Sequence, residues 1–256
     1  MSKPNVLIFD LETAPMEALV WGQRDQYINP NQVLKDRSIL TFSAKYLKTS
    51  DGTLYGPSNK VMHFSVRGQK DLRNDKKVVQ ELRDLIDDAD VVVGQNSNKF
   101  DLPIFQGRCA VHGIAPPSPY KKIDTYRLGS KMGFTSTKLE HMTDTLCPEF
   151  KKSIHKQFPG LSLWIEFLKG NKKAQKEMEL YNNRDVEGTE AVYNKLAPWG
   201  VGLNFGIFSE NPKDLVCQCG SKEFQDNGHS YERAGKYKRH KCKKCGANHK
   251  GSRVKE

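Results

Sequence analysis

No segment of this 256-residue chain approaches the roughly 18 consecutive apolar residues of a membrane-spanning helix. The N-terminus, MSKPNVLIFD, lacks the apolar core and small-residue cleavage site of a secretory signal, so a cytoplasmic location and no membrane association are expected. There is no internal repeat and no low-complexity tract, which sets aside solenoids, propellers and disordered tails. Acidic residues are in deficit, 30 against 41 Lys and Arg, giving a net charge of +11 and a pI near 9.3. No basic amphipathic segment carries an apolar anchor face, so this excess points to nucleic acid ahead of a membrane surface. Cysteine is sparse in the main body, where only Cys109 and Cys147 occur, far apart; the apolar run around Cys109 predicts a buried inert thiol, and Cys147, in TLCPEF, carries no functional signal. What the chain does have is 37% hydrophobic content, enough to build one sizeable domain with an appendage.

Two parts can be distinguished. From Val6 to about Trp199, the β-rich runs NVLIFDLE, SILTFSAKYL and KVMHFSVRG follow one another, the last two separated by the turn-rich TSDGTLYGPSN. Then come a helical DKKVVQELRDLIDDA, a strand-like DVVVGQNS, a helical LPIFQGRCAVHG, the short KKIDTYRL and a helix-rich remainder. A meander followed by alternating helix and strand predicts an α/β domain with a mixed sheet over residues 1–200. The aperiodic, Pro- and Gly-bearing stretch around 201–213 reads as a linker, leaving a cysteine-bearing tail at 214–256.

The first apolar run ends in two acids, Asp10 and Glu12 of VLIFDLET. Alternate residues of a strand share a face, so the two carboxylates point the same way, placed to repel or to share a cation. The competing reading is a strand that stops at Asp10, with both acids solvated. Asp101 follows VVVGQNSNKF at the start of a helical pattern, where an aspartate is also a common N-cap. In EMELYNNRDVEGTEAVYNKL, residues Tyr181, Asp185, Gly188, Thr189, Val192 and Leu196 fall on one helical stripe expected to face the sheet. An aspartate on such a stripe needs a partner, either a cation or a salt bridge to Arg184 or a lysine. Asp124, in KKIDTYRL, is a fifth acid, for which a supporting role is expected rather than metal ligation.

Taken together, these residues resemble the DEDD superfamily of 3′→5′ exonucleases, in its tyrosine-bearing branch, on a ribonuclease-H-like fold. Asp10 and Glu12 match its first motif, Asn96, Phe100 and Asp101 its N-x-x-x-F/Y-D motif, and Tyr181 and Asp185 its Y-x-x-x-D motif. The other main branch has a histidine five residues before the last acid, where this chain has Leu180; His112, His141 and His155 match no motif position. The segment from Phe158 to Gly200 is similar to the closing region of small phage and bacterial exonucleases, which would place a phage-encoded chain in its host's cytoplasm. The resemblance implies a mixed five-stranded sheet flanked by helices, with the active site at the strand ends. It also implies two Mg²⁺ or Mn²⁺ ions, about 3.5–4 Å apart, bound by oxygen ligands. Asp10 would bridge the two ions, Glu12 and Asp185 would hold the one on the nucleophile side, and Asp101 the one on the leaving-group side. Tyr181 would orient the attacking water, since a phenol with an ordinary pKa of about 10 is a poor general base. Asn96 and Phe100 are candidate contacts for the terminal nucleotide, although Phe100 fits the core equally well.

The tail reads C-x-C-G, a spacer of roughly twenty residues, then C-x-x-C-G. Cys217, Cys219, Cys242 and Cys245 suit one tetrahedral structural Zn²⁺, with His229, His240 or His249 as alternative ligands, and the tail resembles a zinc ribbon. A zinc there would fold a segment too small to hold a core by itself. Between the cysteine pairs, Arg233, Lys236, Lys238, Arg239, Lys241, Lys243 and Lys244 crowd around Tyr231 and Tyr237. Cations neutralise phosphates and aromatic faces stack on bases, so Arg233, Lys236, Tyr237, Lys238 and Arg239 are candidate substrate contacts, with a plain solvated hairpin as the alternative. The expectation is a monomeric 3′→5′ exonuclease acting on single-stranded DNA and releasing nucleoside 5′-monophosphates. An exoribonuclease and a catalytically silent nucleic-acid-binding module are the alternatives.

Overall fold

The computed structural model describes residues 4–24, 27–50, 52–150, 157–199, 205, 211 and 214–254. Strand β1 (Val6–Thr13) is followed by a small hairpin, β2 (Glu17–Ala18) with β3 (Val33–Lys35), and then by the long β4 (Ile39–Lys48), β5 (Leu54–Tyr55) and β6 (Met62–Ser65). Helix α1 (Lys76–Asp87), β7 (Val91–Gly94), α2 (Asp101–His112), β8 (Lys121–Asp124), α3 (Thr125–Lys131), α4 (Leu139–Leu146), α5 (Ser162–Leu168) and the 25-residue α6 (Lys172–Leu196) complete the body. The main sheet has the order β5-β4-β1-β7-β8, with β6 as a sixth strand pairing with β4. Pairing is antiparallel from β1 to β4 and from β4 to β5 and β6, and parallel from β1 to β7 to β8. The expected mixed sheet and its β1–β4–β6 meander are present, with β5 arising inside the segment read as a turn.

The alternation in β1 sets the layers. Leu7, Phe9 and Leu11 enter one core with Val79, Leu82 and Ile86 of α1 and Leu102 and Phe105 of α2. Val6 and Ile8 enter the other, with Val186, Val192, Tyr193 and Leu196 of α6. Each fully buried Leu, Ile or Phe contributes about 1.5–3 kcal/mol, so a sheet covered on both faces fixes the register of β1 firmly. Asp10 and Glu12 continue the Val6–Ile8 face and therefore lie under α6. The helix is fastened there by the Lys45–Glu190 ion pair and by Glu190 accepting from the Lys48 N–H at 2.8 Å.

A second polar tie holds the opposite layer. Asp75, fully buried ahead of α1, accepts from the Ile39 N–H (2.8 Å), from Arg108 Nε and Nη2 (2.8 and 2.7 Å), and lies 2.6 Å from His112 Nε2. Burial pushes its carboxyl up, but these donors outweigh burial and hold it below the usual carboxylate range. His112, which matches no motif, thus has a structural partner. Cys109 and Cys147 are buried, and burial raises both thiols, Cys109 to about 11, as inert cysteines require.

Most of the expected linker, 201–213, lies outside the described residues; within it, Phe205 is buried and stacks on Tyr55 at 4.0 Å. The tail forms a separate antiparallel sheet, β11-β10-β9, from β9 (Phe224–Glu232), β10 (Gly235–Cys242) and β11 (Asn248–Arg253). No helix among the described residues is long and apolar enough to cross a membrane.

Candidate active site

Strand β1 carries both Asp10 and Glu12, opposite Ser43 and Thr41 of β4, and its pairing becomes irregular only at Glu12–Thr13. The reading in which the strand stops at Asp10 is therefore replaced by a bulge at the end of a longer strand, a common way to re-aim side chains beside a site. Asp185 comes down from α6, and one ligand oxygen from each of Asp10, Glu12 and Asp185 lies within 4.8 Å of the others. Arg184, its alternative partner, reaches Glu187 at 3.5 Å and lies over the Phe150 ring at 3.9 Å. Tyr181, one turn earlier, is hydrogen-bonded to Asp185.

Asp101 stands apart from that trio. The N-cap of α2 is Phe100; Asp101 is the first helical residue, and its Oδ1 accepts from the Leu11 N–H of β1 at 3.1 Å. It is buried, so the helix start is pinned against the acid-bearing strand and does not cap itself. The loop before it depends on Asp124. That buried carboxylate accepts from the Asn96 and Asn98 N–H groups (2.9 and 3.1 Å) and from Tyr126 at the start of α3 (3.0 Å). Asn96 sits in the left-handed region at φ 57°, and Gly94 is needed beneath the loop, since a Cβ there would fall 2.5 Å from Ser97 Cβ. Phe100 is 39% exposed, with Arg37 6.0 Å over its ring, which places it at the surface and not in the core.

Electrostatically the cleft is loaded. Burial first, and then the charges of Asp101, Asp185 and Glu12, push the Asp10 carboxyl well above its ordinary range, with a hydrogen bond from Asn182 pulling it down. Asp101 is raised to about 7, by burial and by Asp124, against the pull of the Leu11 N–H. Burial and then the charges of Asp185, Glu12 and Asp10 raise the Tyr181 phenol, so it holds its proton. Clustered carboxylate oxygens that resist ionising together are a donor set for a hard divalent cation such as Mg²⁺ or Mn²⁺.

Two further side chains touch the acids. Asn182 Nδ2, fully buried on α6, donates to Asp10 Oδ2 at 2.7 Å and to the Asp10 carbonyl at 3.1 Å. Trp164 Nε1 of α5 donates to Glu12 Oε2 at 3.1 Å. Asn182 was accessible to helical periodicity, lying three residues before Asp185 and four after the buried Met178. Trp164, on a seven-residue helix 152 positions from Glu12, carries no such signal.

In the tail, one sulfur from each of Cys217, Cys219, Cys242 and Cys245 lies within 4.8 Å of the other three. Cys219 and Cys242 are 3.8 Å apart and Cys217 and Cys245 3.4 Å, close to the about 3.8 Å edge of a tetrahedron with Zn–S bonds of about 2.3 Å. Gly220 and Gly246 take φ of 90° and 77° at the two knuckles, where a side chain would be strained. Burial raises Cys219 to about 11, whereas N–H groups of Cys245 and Lys244 overcome burial at Cys242 and lower it to about 7. His249 Nε2 lies 3.2 Å from Cys217 Sγ, beside the cluster. The candidate substrate contacts divide between the two faces of β10. Lys236 pairs across to the 75%-exposed Tyr231, and Lys238 to His229, while Tyr237 and Arg239 point the other way. Arg233 is exposed in the β9–β10 turn, Lys250 lies 3.7 Å over the Tyr237 ring, and Arg239 Nε donates to the Asn227 carbonyl at 2.9 Å.

No curated protein sequence matches the chain significantly. The fold is similar to that of the family B DNA polymerase from the hyperthermophilic archaeon Pyrobaculum calidifontis, at 19% identity and a TM-score of 0.55, over 92% of this chain and 32% of the polymerase. The chain thus spans about a third of that polymerase's length. The family model RNase_H_2, described as RNase_H superfamily, matches residues 45–197, a range that includes Asp101, Tyr181 and Asp185 and begins after β1. With the mixed sheet and its flanking helices, that match establishes that the chain belongs to the RNase H superfamily.

Proposed function

We propose that the chain is a two-metal-ion 3′→5′ exonuclease acting on single-stranded DNA. The observation that carries this reading is the convergence of Asp10, Glu12 and Asp185, with Tyr181 hydrogen-bonded to Asp185 and Asp101 set to one side. Two divalent cations, when bound, would polarise the scissile phosphate and stabilise charge on the attacking and leaving oxygens. Asp10, which feels the charges of Asp101, Asp185 and Glu12 alike, would serve both ions, with Glu12 and Asp185 on the nucleophile side and Asp101 on the leaving-group side. Asn182 keeps one Asp10 oxygen in place, and Asp124 fixes the loop that delivers Asp101. Tyr181, one turn from Asp185 and a phenol whose ordinary pKa is about 10, would act as a hydrogen-bond donor that orients water and not as a base. Asn96 and Phe100, ahead of Asp101, would meet the terminal nucleotide.

The ribbon, residues 214–256, would be an appendage held by one structural zinc that adds cationic and aromatic surface for the same strand. The choice of DNA over RNA draws on the fold likeness to a DNA polymerase, because the four acids do not contact the sugar 2′ position and do not decide between the sugars. Single-stranded DNA and RNA of one sequence, digested with Mg²⁺, Mn²⁺ or chelator, test the reading by product. Metal-dependent release of deoxynucleoside 5′-monophosphates, faster than release from RNA, is expected. Faster release from RNA would make the enzyme an exoribonuclease, and binding without any product would make it a silent binding module.

A further inference from the structure

We infer that Trp164 is a positioning residue that couples a metal ligand to the water-orienting tyrosine. The inference rests on the exonuclease reading above. Its indole N–H donates to Glu12 Oε2 at 3.1 Å, and its ring meets Tyr181 edge to face, with centroids 6.4 Å apart and planes at 77°. Tyr181 in turn is hydrogen-bonded to Asp185. One side chain therefore touches two groups of the site, Glu12 and Tyr181, and reaches them from a helix, α5, that supplies none of the acids.

The position of the indole is set by packing. Leu163 and Phe167, either side of Trp164 in sequence, are buried in the core beneath β1 and anchor α5. The half-buried Trp164 packs against the same core, with its indole N–H turned to Glu12. A tryptophan that only fills space needs its ring and any acceptor for its N–H. Here the acceptor is a carboxylate of the acid cluster, and a hydrogen bond to an ionised group is stronger and more directional than one between neutral partners. The bond restricts a flexible glutamate to one orientation, and the edge-to-face contact restricts the phenol beside it. Hydrogen-bond partners of metal-binding side chains of this kind typically tune metal affinity or activity by about 10–100-fold.

Trp164→Phe keeps an aromatic ring against Tyr181 and removes the N–H. Calorimetric titration of the full-length protein with Mn²⁺, without substrate, is expected to show binding weakened by about 10–100-fold, with little change in thermal midpoint. A second measurement leaves Trp164 intact. The exposed Trp21 and Trp199, 99% and 72% accessible, are replaced by phenylalanine, and Mn²⁺ is expected to quench the remaining indole emission, but not in a form also carrying Asp10→Ala. Wild-type Mn²⁺ affinity in Trp164→Phe, or emission indifferent to saturating Mn²⁺ in a protein that binds the ion, overturns the role of Trp164 and leaves the exonuclease reading standing. Absence of Mn²⁺ binding in the wild-type protein overturns both.

Discussion

Asn182→Ala removes the donor that Asp10 depends on. Two hydrogen bonds are lost, to Asp10 Oδ2 at 2.7 Å and to the Asp10 carbonyl at 3.1 Å. A bond to a charged acceptor contributes about 1.5–3 kcal/mol and one to a carbonyl about 0.5–1.5 kcal/mol, so the loss is about 2–4.5 kcal/mol. The substitution also deletes Asn182 Oδ1, a buried acceptor with no hydrogen-bond partner, and so recovers about 1 kcal/mol. The net cost of about 1–3.5 kcal/mol is smaller than the stability of a typical domain, about 5–15 kcal/mol, so the variant stays folded. The effect at the site has a definite sign. Burial, Asp101, Asp185 and Glu12 all raise the Asp10 carboxyl, and Asn182 opposes them. Without it Asp10 keeps its proton to higher pH, and because a cation takes the ionised carboxylate, the pH below which Mn²⁺ binding fails moves upward. Mn²⁺ titration calorimetry across the acidic to neutral range is expected to show this move together with an affinity loss of about 10–100-fold at neutral pH. A folded Asn182→Ala protein with wild-type affinity and an unmoved acid limb would refute the reasoning.

Tyr181→Phe is expected to leave Mn²⁺ affinity close to wild type while lowering kcat by about 10²-fold or more, as steady-state digestion would reveal, because the phenol positions water and binds no ion. Asp75→Ala leaves Arg108 largely buried without its counter-charge, and a urea midpoint equivalent to a loss of about 3–5 kcal/mol is expected. Because the folded Asp75 carboxyl lies below its unfolded value of about 3.9, its contribution is complete above that pH and lost as pH falls through the folded pKa; Asp75→Ala should lack that acid limb. Cys242→Ala is expected to abolish zinc retention, read with a zinc-sensitive chromophore after denaturation, and to weaken capture of long strands while short oligonucleotides are still cleaved.

Asp10, Glu12 and Asp185 could be singled out because each sits where a period is strong, whereas Asp101 stood out only through the motif it completes. Asp10 and Glu12 interrupt a buried strand of period two, and Asp185 interrupts an inward helical stripe that extends from Asn182 through Val186 to Leu196. The four cysteines were legible from spacing and from the glycine that follows each pair. Strands β2, β3 and β5, two or three residues long, have no period to read and exist only through pairing, β2 with β3 and β5 with the end of β4. Asp75 and Trp164 were hidden for the same reason. Their partners, Ile39 and Arg108 for one and Glu12 for the other, are brought to them only by the packed layers. The basic tail is a different case. Its residues crowd together in sequence, yet the alternation of β10 sends Lys236 and Lys238 to one face and Tyr237 and Arg239 to the other.

The most direct test follows 5′-labelled single-stranded DNA over time with Mn²⁺, using the wild-type protein and Asp10→Ala purified in parallel. A ladder shortening from the 3′ end with wild type, abolished by chelator and by Asp10→Ala, is the predicted result. Full-length DNA that persists with wild type, or a ladder of equal rate with Asp10→Ala, would contradict the account.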